Sequence, residues 1–153
     1  CGRRWSGCAS SEAIAMFALT RSLRPIVAPT PTDQLLPFEK ALLQATASAL
    51  PPAEAVLLAK QVDCINNIRR PFDWKRIEFQ CKRWFQVRWP TALLFDRADT
   101  FRIATIACQF GAKDALVDVW AEGGHVSALE SSMGFSGLSI SGPLNIVAVH
   151  PAA

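Results

Sequence analysis

The spacing of apolar residues changes once along the chain, near Pro71, and that change divides it into two kinds of structure. Phe38, Leu42, Ala45 and Ala49 recur at intervals of three or four, with Leu43 and Leu50 widening the stripe. The pattern predicts an amphipathic helix that takes Pro37 in its first turn. Pro51-Pro52 ends this helix and opens a second, with Ala55, Leu58, Ala59, Val62 and Ile65 on one face. It is expected to run to about Arg69, before Pro71 stops it. Two helices joined by two prolines read as antiparallel neighbours or as the arms of a sharp corner.

Beyond Pro71 the period becomes two. From Ile77 to Trp89 the odd positions read Ile, Phe, Cys, Arg, Phe, Val, Trp and the even ones Glu, Gln, Lys, Trp, Gln, Arg. This predicts one long half-buried strand whose single polar interruption, Arg83, is a natural place for a bulge. Shorter apolar runs follow at Leu93–Phe95, Phe101–Phe110, Leu116–Ala121, His125–Leu129 and Leu144–Val149. Turn-forming residues separate them, and Gly123-Gly124 marks a tight hairpin because glycine accepts the positive φ such turns need. Ser131–Gly137 reads as a flexible loop. Connections this short leave no room for helical crossovers, so the strands are expected to pair antiparallel. The fold class expected is α+β, with two N-terminal helices followed by a hairpin-rich antiparallel sheet of about five or six strands.

Pro25, Pro29 and Pro31 precede the first helix. Residues 1–31 therefore read as a flexible N-terminal extension and linker, and residues 32–153 as one α+β domain. Met16 opens an ordinary N-terminal run, so residues 1–15 are expected to be an upstream extension without function of their own. A chain of 153 residues that is half hydrophobic can bury one ordinary core unaided by metal or disulfide. No stretch reaches the roughly 20 apolar residues that span a bilayer. Ala13–Leu19 is too short, and Arg21 and Arg24 stand where a signal cleavage site belongs. Five cysteines form no CxxC, and Cys64, Cys81 and Cys108 fall at apolar positions, as buried reduced thiols do. A cytoplasmic location without a membrane partner is the corresponding expectation.

Charge is unevenly spread. Residues 1–31 carry a net +3, residues 69–88 carry +5, and the rest of the chain sums to −5. Chemistry is sparse by comparison. The two histidines, His125 behind the Gly-Gly turn and His150 near the end, have no nucleophile or metal-ligand pattern beside them. Asp118 and Glu122 share one strand face and could form a carboxylate pair, with His125 nearby, but a solvated sheet edge explains them as well. Asp96 and Asp99 lack the further ligands of a calcium loop, and the glycines at 134 and 137 lack the lysine of a phosphate loop. No cofactor is called for.

Arg69–Trp89 differs in kind, because it interleaves seven cations with Phe72, Trp74, Phe79, Trp84, Phe85 and Trp89. The strand register puts Lys82, Trp84 and Arg88 on the polar face. There Trp84 is either covered by another element or offered to a partner. Lys75, Arg76, Lys82, Trp84 and Arg88 are accordingly the candidate partner-binding residues. Trp and Arg anchor protein interfaces, so the sequence points to a small non-enzymatic module that binds another protein, of the inhibitor or immunity type. A single-stranded nucleic-acid binder using the same basic segment, and a hydrolase with a carboxylate and histidine site, are the alternatives. Homo-oligomerisation stays open.

Overall fold

The computed structural model describes residues 32–135 and 143–152, so the extension read over 1–31 lies outside it. Helix α1 (Pro37–Ala49) and helix α2 (Pro52–Cys64) come first. The strands are β1 (Asn67–Arg69), β2 (Arg76–Gln80), β3 (Lys82–Arg83), β4 (Gln86–Val87), β5 (Phe101–Phe110), β6 (Lys113–Glu122), β7 (His125–Glu130) and β8 (Leu144–Pro151). Six of them form one antiparallel sheet in the order β1-β2-β7-β6-β5-β8, and β3-β4 make a separate two-stranded hairpin. The α+β class follows from the periodicities, and both glycines of the Gly123-Gly124 turn adopt positive φ, 58° and 80°.

Both helices pack on one face of the sheet, α1 against β5 and β8 and α2 against β7. Cross-strand partners on that face are apolar: Ile68 with Phe79, Ile77 with Leu129, Leu129 with Val119, and Val117 with Ile106. They close over Leu42, Leu43 and Leu58, all fully buried. Each such side chain contributes about 1.5–3 kcal/mol by leaving water. The opposite face carries a polar row, with Arg76 across from Glu130, Glu130 across from Asp118, and Asp118 across from Thr105, beside the apolar pairs Trp120 with Ala128 and Leu116 with Ala107.

Helix α2 stops five residues before the expected Arg69. The Asn66 backbone N–H turns to Gln80 O (3.2 Å), and Asn67 pairs with Gln80 through both backbone and side chain. The sheet therefore claims residues that the helical stripe appeared to continue into. Gln61 is a polar residue fully buried on α2. Its Nε2 donates to Leu93 O (2.5 Å) and Gly124 O (3.1 Å), and its Oε1 accepts from the Val126 N–H (2.7 Å). One amide thus joins α2, the chain after β4 and the β6-β7 turn. Replacing Gln61 by leucine is expected to cost about 2–4 kcal/mol in urea unfolding, because it orphans the buried Val126 N–H and the Leu93 carbonyl. Unchanged stability would show that water takes over those groups.

Two loop expectations also change. Leu93–Phe95 is no strand: Thr91–Leu93 form a single 3-10 turn, and the Phe95 N–H bonds Gly124 O. The Ser131–Gly137 loop is anchored over its described part, because Ser131 is buried and Phe135 is fully buried against Phe38, ring centroids 5.7 Å apart.

Candidate functional site

The expected strand from Ile77 to Trp89 is interrupted at Cys81. Asn66 ends the pairing there: its Oδ1 accepts from the Lys82 N–H (2.7 Å) and its Nδ2 donates to Lys82 O (2.9 Å). A side-chain amide thus takes the place of the next strand residue, and the chain leaves the main sheet. It folds back at once, with Lys82 opposite Val87, Arg83 opposite Gln86, and the Arg88 N–H on Cys81 O (2.8 Å). Only Trp84 and Phe85 remain for the turn.

A two-residue hairpin of this hand needs positive φ at both turn residues, which is why Asn-Gly is the usual choice. Here φ is 51° at Trp84 and 69° at Phe85. In that region an L-residue with a Cβ meets its own carbonyl oxygen, a strain of about 1–2 kcal/mol per residue. The two aromatics gain nothing from burial in return, since Trp84 is 93% exposed and Phe85 100%. Val87 is half exposed beside them. Two large rings thus stand in water on a strained tip.

Around the tip the charge is positive. Arg83 and Arg88 are exposed and Lys82 half-buried. Arg83, Trp84, Gln86, Arg88, Trp89 and Pro90 line a groove of about 460 Å³ on one side of the hairpin. Trp89, at its root, is buried and stacks on His125 with ring centroids 4.6 Å apart. His125, although it follows the Gly123-Gly124 turn, is therefore half-buried. Burial pushes its pKa down, partly offset by the Gly123 carbonyl and Glu122.

The structure gathers Lys82, Trp84 and Arg88 on one hairpin but sets Lys75 and Arg76 apart. They lie at the far end of β2, some six residues or roughly 20 Å away along extended chain. Arg76 is engaged there with Glu130 (3.2 Å) and Glu78 (3.9 Å). Arg83 and Phe85 were missed, because the period-two register assigned them to the buried face together with Ile77 and Phe79. No turn signal in Arg-Trp-Phe-Gln could have corrected it.

The carboxylate and histidine alternative is not assembled at one point. Asp118 binds the Thr105 hydroxyl (2.5 Å) and Arg102 (3.5 Å). Glu122 lies four residues further along β6, roughly 13 Å away. Among the described residues no three His, Cys, Asp or Glu side chains converge to hold a metal ion, and no helix is long and apolar enough to cross a membrane. No family model, no curated protein and no solved structure matches the chain.

Proposed function

We propose that this protein is a binding module that docks another protein through the β3-β4 hairpin, with Trp84 and Phe85 as the inserted anchors. The observation that carries the reading is the pair of fully exposed aromatics held in left-handed backbone. Burial within the chain does not account for them, whereas insertion into a partner would place both rings out of water without moving the backbone. The hairpin is convex and narrow, so the surface it fits is a concave apolar pocket. Lys82, Arg83 and Arg88 around it favour an acidic rim. A small protein that inserts such a tip into a partner's cleft acts as an inhibitor or neutralising protein does.

Nucleic acid remains the second reading because the same residues join cations to a stacking surface. Geometry weighs against it: bases stack in succession along a platform, while this tip offers two rings on a turn, and Lys75 and Arg76 are too far away to extend a phosphate track. Titrating a single-stranded oligonucleotide at several salt concentrations separates the two. Three phosphate contacts would give a slope of about −2 in log K against log salt. The docking reading expects no saturable binding. Its own test is capture of a partner by the full chain, run beside a Trp84→Asn/Phe85→Gly variant and repeated with the captured protein purified. A partner bound equally by both proteins would overturn it.

A further inference from the structure

Two cysteines lie at the root of the hairpin. Cys64 is the last residue of α2, and Cys81 is the residue between β2 and β3. Asn66, two residues after Cys64, bonds Gln80 O through its backbone N–H (3.2 Å) and Lys82 through its side chain (2.7 and 2.9 Å). Cys81 is thereby bracketed on both sides by contacts to the chain just after Cys64. Cys81 is buried and Cys64 half-buried against the same core cluster. From this geometry we propose that Cys64 and Cys81 are a redox-modification site, forming a reversible intramolecular disulfide on reaction with a low-molecular-weight disulfide such as oxidised glutathione.

The more accessible thiol, Cys64, loses its proton and attacks one sulfur of the oxidant, whose S–S bond breaks and releases one glutathione thiolate. The Cys81 thiol then gives up its proton and attacks the Cys64 sulfur of the mixed disulfide, releasing the second glutathione. The protein loses two electrons and two protons, and the oxidant gains both as two thiols. Burial and the adjacent Cys64 thiol push the Cys81 pKa up, while the Arg83 guanidinium beside it favours the thiolate. Cys108 shows the contrast: it is buried on β5 with its pKa pushed up to about 11, and its Sγ lies 3.7 Å from Ala115 O.

The new bond would close a ring from Cys64 to Cys81 and fasten the hairpin root to α2, since the Arg88 N–H already rests on Cys81 O. The site stands independently of what the hairpin binds. The test is to incubate the folded full chain with glutathione buffers of increasing oxidised fraction, quench with an alkylating agent, and map peptides without reduction. A linked Cys64–Cys81 peptide that disappears with dithiothreitol is expected, with a rise in Tm of roughly 5–10 °C that Cys64→Ser abolishes. The proposal is overturned if both residues are alkylated at every ratio. It fails equally if Cys64 carries glutathione while Cys81 stays free, or if either is linked instead to another cysteine.

Discussion

Replacing Glu39 by alanine is expected to destabilise the protein by about 3–5 kcal/mol. Glu39 is fully buried in the first turn of α1, and Arg70 is nearly so. The guanidinium donates twice to the carboxylate, Nε to Oε1 and Nη2 to Oε2, both at 2.7 Å. Oε2 also accepts from the Leu36 N–H (2.8 Å), closing the helix end. Arg70 makes further bonds to the Thr32 hydroxyl and to Gln34 O (3.1 Å). Truncating the acid leaves a desolvated cation among these groups, so the loss exceeds the worth of the pair itself. Arg70→Met should cost a similar amount by leaving the carboxylate unpaired. The two apolar replacements together, Glu39→Leu with Arg70→Met, should recover most of it, because neither charge is then buried. Urea unfolding of the three variants decides this. A double variant whose loss equals the sum of the singles would show that the two side chains are not coupled and would overturn this account.

The second large effect concerns binding. Trp84→Ala is expected to weaken the captured partner's affinity by about 2–4 kcal/mol, roughly 30- to 1000-fold in Kd, and Phe85→Ala by a comparable amount. Stability should move the other way. Exchanging Trp84-Phe85 for Asn-Gly removes two side chains from left-handed backbone and should raise unfolding stability by about 1–3 kcal/mol. A gain in stability joined to a loss of binding separates a docking tip from a structural turn. A turn kept for the fold would lose stability on the same exchange. If the Asn-Gly hairpin binds the partner as the parent does, the aromatics are not the anchors.

The parts of the molecule legible in the sequence are those governed by local rules. The apolar stripe after Pro37 gives α1, the alternation over Phe101–Phe110 and Leu116–Ala121 gives β5 and β6, and Gly123-Gly124 gives the hairpin between β6 and β7. The antiparallel class follows from short connections alone. Within the candidate site, the enrichment of cations and aromatics between Arg69 and Trp89 was visible, and so was the choice for Trp84 between cover and exposure.

The break at Cys81 was not visible, since it depends on Asn66, whose side chain comes to Lys82 only after β1 has paired with β2. The role of Gln61 was not visible either, since three backbone groups from distant segments converge on its amide only in the folded chain. The turn at Trp84-Phe85 contradicts turn propensity outright. By itself the sequence determined that two helices precede an antiparallel sheet and that one basic aromatic segment stands out, whereas the packing of both helices on one sheet face was decided by the tertiary structure. Tertiary structure alone decided that this segment leaves the sheet and ends in two exposed rings. Periodicity reports which face of an element is apolar, whereas a strand ends where its partner does, and that partner lies on another part of the chain.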